Sequence, residues 1–142
     1  MKRIAVIGAG SWGTTLAQVL NDNGHKVALW VRNPEKANKI AHSRYNADYL
    51  PQLKLADAIE ISSDLTQAVS NAEILLLAVP SHGMADLCCQ LSKITDCTDK
   101  VSVSCTKGFE YHSGLRMSEI IKSYFPSATV AVLSGPNHAE EI

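Results

Sequence analysis

A chain of 142 residues that is 46% hydrophobic and 19% charged has the length of one globular domain and is too apolar to stay disordered. Thirteen basic and fourteen acidic side chains leave a formal charge of −1, which offers no field for nucleic acid or an anionic membrane surface. The longest strongly apolar run, residues 74–79, falls far short of the roughly 20 residues that span a bilayer.

Short apolar runs alternate with helical patterns along the chain. Residues 3–7 (RIAVI) are predicted as a first strand, and residues 12–23 as a helix ended by Gly24 in a left-handed conformation. A second strand covers residues 26–31. A helix over 34–42 follows, with Pro34 in its first turn and Glu35 at its positive end. Residues 43–59 (SRYNADYLPQLKLADAI) are read mostly as a loop. A short third strand over 59–62 precedes a helix from Asp64 to position 69. Residues 73–79 (EILLLAV) are nearly continuously apolar, as expected of a strand covered on both faces. A helix over 84–94, a strand over 101–105, a helix over 116–124 and a sixth strand over 129–133 complete the pattern. The start, MKRIAVIGAG, has too short an apolar stretch and no cleavage pattern for a signal peptide, so a cytoplasmic location is expected.

This alternation predicts a Rossmann-type, doubly wound, mostly parallel sheet with right-handed crossovers, residues 1–142 forming one dinucleotide-binding domain. In such sheets ligands bind beyond the carboxyl ends of the strands, where strand order reverses. The first strand runs into G-x-G-x-x-G, with Gly8 for the sharp turn, Gly10 for the close approach of a phosphate and Gly13 for close packing of helix on sheet. Backbone N–H groups near Ser11 and Trp12 would face a pyrophosphate at the positive end of the helix. Trp12 either covers the coenzyme or joins the core, and the bland alternative for the whole motif is a glycine-rich turn without a ligand.

The second strand ends in Arg32, where an acid that would hold the ribose of NAD is absent. A guanidinium suits an adenosine 2′-phosphate, so NADP is favoured over NAD, or both are accepted; the alternative is a solvated surface arginine. After the fourth strand, Pro80 stops the run and Ser81 can cap the next helix or admit a nicotinamide ribose, while His82 reads as a surface residue. Lys107, after the fifth strand, is either a cation in the crevice or an ordinary surface lysine. Gly135 and Pro136 turn the chain after the sixth strand, and Asn137 stands at a helix N-cap. Cys88, Cys89, Cys97 and Cys105 fit no metal spacing and read as buried or semi-buried reduced thiols. The five histidines include no i, i+4 pair, so no metal site is expected.

Six segments in order, IGAGSWGTTLA, VALWVRNPE, NADYLP, AVPSHG, CTKGFE and SGPNHAEE, resemble the bacterial NAD(P)-dependent glycerol-3-phosphate dehydrogenases across the whole chain. The resemblance implies reduction of dihydroxyacetone phosphate by NADPH or NADH to sn-glycerol 3-phosphate for phospholipid synthesis. It implies coenzyme contacts at Ser11, Trp12, Arg32, Tyr49, Lys107 and Ala139, and substrate contacts at Lys107, Gly135 and Asn137, where the family often has Ser or Thr. It also implies hydride transfer to a carbonyl carbon, with lysines polarising the oxygen and supplying its proton. The family's all-helical C-terminal domain, which carries an acid–base lysine, has no counterpart in this sequence. The expectation is therefore the coenzyme part of a longer enzyme, truncated at its C-terminal end, with no complete catalytic set, inactive alone, and a homodimer as the form to consider for the full-length enzyme. The competing readings are a non-catalytic dinucleotide-binding module and the coenzyme domain of a related hydroxy-acid or sugar dehydrogenase.

Overall fold

The computed structural model describes residues 1–136 together with His138 and Ala139. In chain order the elements are β1 (Arg3–Ile7), α1 (Ser11–Asp22), β2 (Lys26–Trp30), α2 (Pro34–Ser43), β3 (Tyr45–Asn46), β4 (Leu50–Lys54), β5 (Glu60–Ser62), α3 (Leu65–Ser70), β6 (Ile74–Leu77), α4 (Met84–Leu91), β7 (Val101–Ser104), α5 (Met117–Tyr124) and β8 (Thr129–Val132). Six strands make one sheet in the order β5-β2-β1-β6-β7-β8, and every described pairing in it is parallel. Strand order reverses between β1 and β6, which defines the crevice beyond their carboxyl ends.

The apolar runs of β1 and β6 are continuous because successive side chains feed two different layers. Ala5, Ile7, Leu75 and Leu77 enter a cluster with residues of α3, α4 and α5, such as Val69, Leu87 and Ile121. Ile4, Val6 and Leu76 enter the opposite cluster with Leu16 and Ala17 of α1 and with Ala37 and Ile40 of α2. Several ends are set by local chemistry. Gly24 has φ +79° after α1, Asn33 accepts the Lys36 N–H at 3.0 Å before α2, and Asp64 accepts the Gln67 N–H at 3.0 Å before α3.

Three expectations need correction. Residues 43–59 are loop only in part, because β3 and β4 pair there as an antiparallel ribbon outside the main sheet. The ribbon is anchored by buried Leu50 and by Leu55, whose N–H donates to the Arg44 carbonyl at 2.7 Å. Arg44, in a left-handed conformation with φ 63°, donates its guanidinium to the carbonyls of Ala56 and Ile59. Ser81 does not cap α4; it opens a 3-10 turn over Ser81–Gly83, and α4 starts at Met84 without a side-chain cap. Cys89 is exposed, because α4 turns it away from the layer that buries its neighbour Cys88.

Burial pushes the Cys88 thiol up to about 12 and the Cys105 thiol up to about 11, and raises that of Cys97. The thiolate is the nucleophile, so a maleimide is expected to label the folded chain once, at Cys89, and at all four cysteines only after unfolding. Mass spectrometry counts the adducts, and rapid labelling of two or more thiols in the folded chain would contradict this packing.

Candidate functional site

The turn from β1 into α1 forms one wall of the crevice. Its three glycines stand in three different surroundings. Gly8 has φ +115°, and a Cβ there would lie 2.5 Å from the Ala78 carbonyl oxygen, just beyond β6. A Cβ on Gly13 would run into the Gly8 carbonyl oxygen and lie 3.3 Å from the Ala78 Cβ. Both glycines are thus demanded by the fold. A Cβ on Gly10, by contrast, would meet nothing within 4 Å among the described residues beyond its chain neighbours. The space that this glycine leaves open is the kind of cradle an anionic group can enter.

Gly10 is also the N-cap of α1 and, having no side chain, offers no capping acceptor. The first intrahelical bond runs from the Thr14 N–H to the Gly10 carbonyl at 3.0 Å. The N–H groups of Ser11, Trp12 and Gly13 precede it and have no partner in the helix. No acidic side chain stands in the first turn to use up the positive end of the helix. The half-buried Trp12 packs against the core layer that holds Ile4 and Val6.

The neighbouring strand ends add charge. Arg32 is exposed after β2, and no hydrogen bond or ion pair to it occurs among the described residues. Lys107 is exposed after β7, and Gly108 beside it, with φ +92°, brings that loop to 4.0 Å between its would-be Cβ and the Ser81 Oγ. The loops after β6 and β7 therefore run side by side. Thr106 ties them, its hydroxyl lying 2.6 Å from the Val79 carbonyl and 3.2 Å from that of Leu77. His82 is exposed, in keeping with a surface residue.

Tyr49 and Ala139 lie together along a groove on the flank of α1, with Thr15, Gln18 and Leu53. The Thr15 hydroxyl donates to the Ala139 carbonyl at 3.1 Å. Tyr49 is 51% exposed, with the Lys36 ammonium 5.9 Å from its ring centroid. That ammonium also pairs with Asp48, holding its carboxyl below the usual carboxylate range. Gly135 is half-buried beyond β8, and Asn137 lies outside the described residues.

Sequence reasoning missed two polar ties. One is the Thr106 hydroxyl. The other is Asn46 of the ribbon, which is 4% exposed and donates its side-chain amide to the Ala9 carbonyl at 2.9 Å and to the Thr14 hydroxyl at 2.8 Å. An asparagine in a turn-rich stretch carries no signal of a partner 37 residues away.

Comparison with known proteins places the chain and its fold in a family. A family model described as NAD-dependent glycerol-3-phosphate dehydrogenase N-terminus matches residues 3–142. The chain is 43% identical over 140 residues to a glycerol-3-phosphate dehydrogenase [NAD(P)+] of Thermoanaerobacter sp. (strain X514), covering 99% of this chain and 42% of that protein. It is 41% identical over 146 residues to the protein of the same name from Bacillus subtilis (strain 168), again covering 42% of it. Among solved structures, glycerol-3-phosphate dehydrogenase from Coxiella burnetii superposes with a TM-score of 0.91 at 29% identity, covering 99% of this chain and 42% of that one. The enzyme of the same name from Saccharomyces cerevisiae gives 0.87 at 30% identity, covering 99% and 43%. The chain thus spans less than half the length of these relatives. With the family model matched from residue 3 to residue 142, this chain belongs to the N-terminal, NAD-binding part of the NAD-dependent glycerol-3-phosphate dehydrogenase family.

Proposed function

We propose that residues 1–142 form the coenzyme-binding part of an enzyme that reduces dihydroxyacetone phosphate to sn-glycerol 3-phosphate for phospholipid synthesis in the cytoplasm. The observation that carries this reading is the contrast among the three glycines: protein atoms account for Gly8 and Gly13, and open space accounts for Gly10. The N–H groups of Ser11 and Trp12, ahead of the first helical bond, would take the pyrophosphate. Arg32 would take an adenosine 2′-phosphate, which favours NADPH over NADH. Tyr49 and Ala139 would flank the coenzyme from the groove beside α1.

The bound nicotinamide would supply the hydride. The Lys107 ammonium, with Gly135 and Asn137, would sit on the substrate side, where a fixed positive charge polarises a carbonyl oxygen and attracts a phosphate ester. The proton donor is assigned to residues outside this chain, because the longer relatives offer more than half their length beyond the matched part.

Calorimetric titration with NADPH and NADH, together with an assay for NADPH oxidation by dihydroxyacetone phosphate, tests this. The 142-residue chain is expected to bind both coenzymes saturably and to show no turnover by itself. Absence of binding would remove the coenzyme site, and robust turnover from these residues alone would overturn the assignment of the proton donor elsewhere.

A further inference from the structure

Glycine makes the β1–α1 turn able to approach an anion, and the same property makes the turn easy to deform. Gly10 has no Cβ to restrict the peptide that joins it to Ala9. That peptide is a donor on one side and an acceptor on the other, since N–H and C=O point in opposite directions across a trans peptide bond. A flip would exchange the Gly10 N–H for the Ala9 carbonyl at the mouth of the turn, setting lone pairs against an incoming phosphate.

Asn46 opposes that flip. Its Nδ2 donates to the Ala9 carbonyl at 2.9 Å, and because a carbonyl only accepts, the orientation of the amide is unambiguous. The second amide hydrogen meets the Thr14 hydroxyl at 2.8 Å, in the first full turn of α1. Asn46, 4% exposed, and Thr14, fully buried, form a polar contact closed to water. The ribbon aims the side chain: its register slips between Tyr45, opposite Lys54, and Asn46, opposite Leu50, as bulges do where a side chain must be redirected.

We propose that Asn46 is a positioning residue for the coenzyme, holding the Ala9–Gly10 peptide with its carbonyl toward the ribbon and its N–H turned the other way. This rests on the coenzyme reading of the glycine turn. It gives the ribbon a purpose that the main sheet does not require, since β3 and β4 share no pairing with the six-stranded sheet. The contact holds no titratable group of its own, its partners being Ala9, Thr14 and, across the ribbon, Leu50. The charged groups nearest in the ribbon are Arg44, held by Asp57 and two carbonyls, Asp48, held by Lys36, and Lys54.

The test uses Asn46→Asp and Asn46→Ala in the 142-residue chain, with NAD⁺ as the titrant so that no 2′-phosphate ionises in the range studied. Dissociation constants are measured between about pH 5.5 and 8, with circular dichroism and thermal melting at each pH. Near pH 8 the Asp carboxylate cannot donate to the Ala9 carbonyl, and affinity is expected to fall by about tenfold or more, equivalent to about 1.4 kcal/mol. Burial at this position disfavours the charged carboxyl and raises its pKa from the ordinary value of about 3.9, so on acidification the neutral form regains one donor and affinity of the Asp variant should recover, while wild type and the Ala variant do not show that rise. If the Ala variant does not fold, the Asp variant compared with itself at the two ends of the range still decides. Equal affinity of the Asp variant at both ends, or a change that only follows the loss of folded signal, overturns the proposal. Failure of the wild-type chain to bind NAD⁺ or NADPH would instead overturn the coenzyme reading itself.

Discussion

Alanine at Gly13 is expected to lower the melting temperature by on the order of 10 °C, whereas alanine at Gly10 leaves it nearly unchanged and weakens coenzyme binding. The added methyl at Gly13 points into the Gly8 carbonyl oxygen, and the Ala78 Cβ stands 3.3 Å away on the other side, so neither backbone nor side chain can yield cheaply. Overpacking of this kind costs about 1–3 kcal/mol and more where backbone must move. Against a total stability of about 5–15 kcal/mol, that is a large share. Gly8→Ala belongs with it, since it combines φ +115° with a contact of 2.5 Å to a backbone oxygen. At Gly10 the terms nearly cancel. Alanine is a poorer N-cap by about 1 kcal/mol, but it reduces the freedom of the unfolded chain by about 0.4–1 kcal/mol, and φ −74° suits it. Its methyl would occupy the open space beside the helix end, and a tenfold or greater loss of coenzyme affinity is expected, about 1.4 kcal/mol. Thermal melting and calorimetry on the three variants separate the roles. A strongly destabilised Gly10→Ala chain, or one that binds coenzyme as wild type does, would show that the open space is not the phosphate cradle.

Arg32→Ala is expected to weaken NADPH binding roughly ten- to hundredfold while leaving NADH nearly unaffected. The estimate follows from about 1.5–3 kcal/mol for a hydrogen bond to a charged group and about 1.4 kcal/mol per tenfold. Arg32 is exposed, so the contact should weaken as salt rises, and the preference for NADPH should shrink between low and moderate ionic strength. Arg32→Asp should reverse the preference, because a carboxylate repels the 2′-phosphate and can accept from ribose hydroxyls. Dissociation constants for both coenzymes at two salt concentrations decide. Equal losses for NADPH and NADH would place the guanidinium on the adenine or on the loop, and no loss for either would leave it a surface residue.

The centre of the main sheet was legible because β1 and β6 are buried on both faces. Runs such as Ala5–Val6–Ile7 and Leu75–Leu76–Leu77 can only be read as central strands once glycine or proline ends them. The helices were legible from signals at their ends, Gly24 after α1, Pro34 and Glu35 at the start of α2 and Asp64 before α3. The ribbon was not, because Asn46, Asp48 and Pro51 signal turns and the strands they interrupt are too short to show alternation. Within the glycine turn the motif and the separate parts expected of its members were visible, but not the atoms they meet. Nothing local shows that the Gly8 carbonyl excludes a methyl from Gly13, or that one on Gly10 would meet nothing among the described residues. The ties from Asn46 and Thr106 were hidden for the same reason: each depends on a carbonyl brought near by the fold, at Ala9 and at Val79.

The position of β1 in the middle of the sheet bears on the order in which the molecule is made. β2 follows it within about 20 residues, but its other neighbour, β6, begins only at Ile74. At a synthesis rate of about 5–20 residues per second, the interval between Gly8 and Ala78 lasts several seconds. Through that interval the glycine turn exists as chain but has no floor, for the Ala78 peptide on which it rests has not been polymerised. The coenzyme site proposed for this turn therefore cannot form before Ala78 is in place. The turn waits for the segment that follows it, as far as β6, to emerge and close against it.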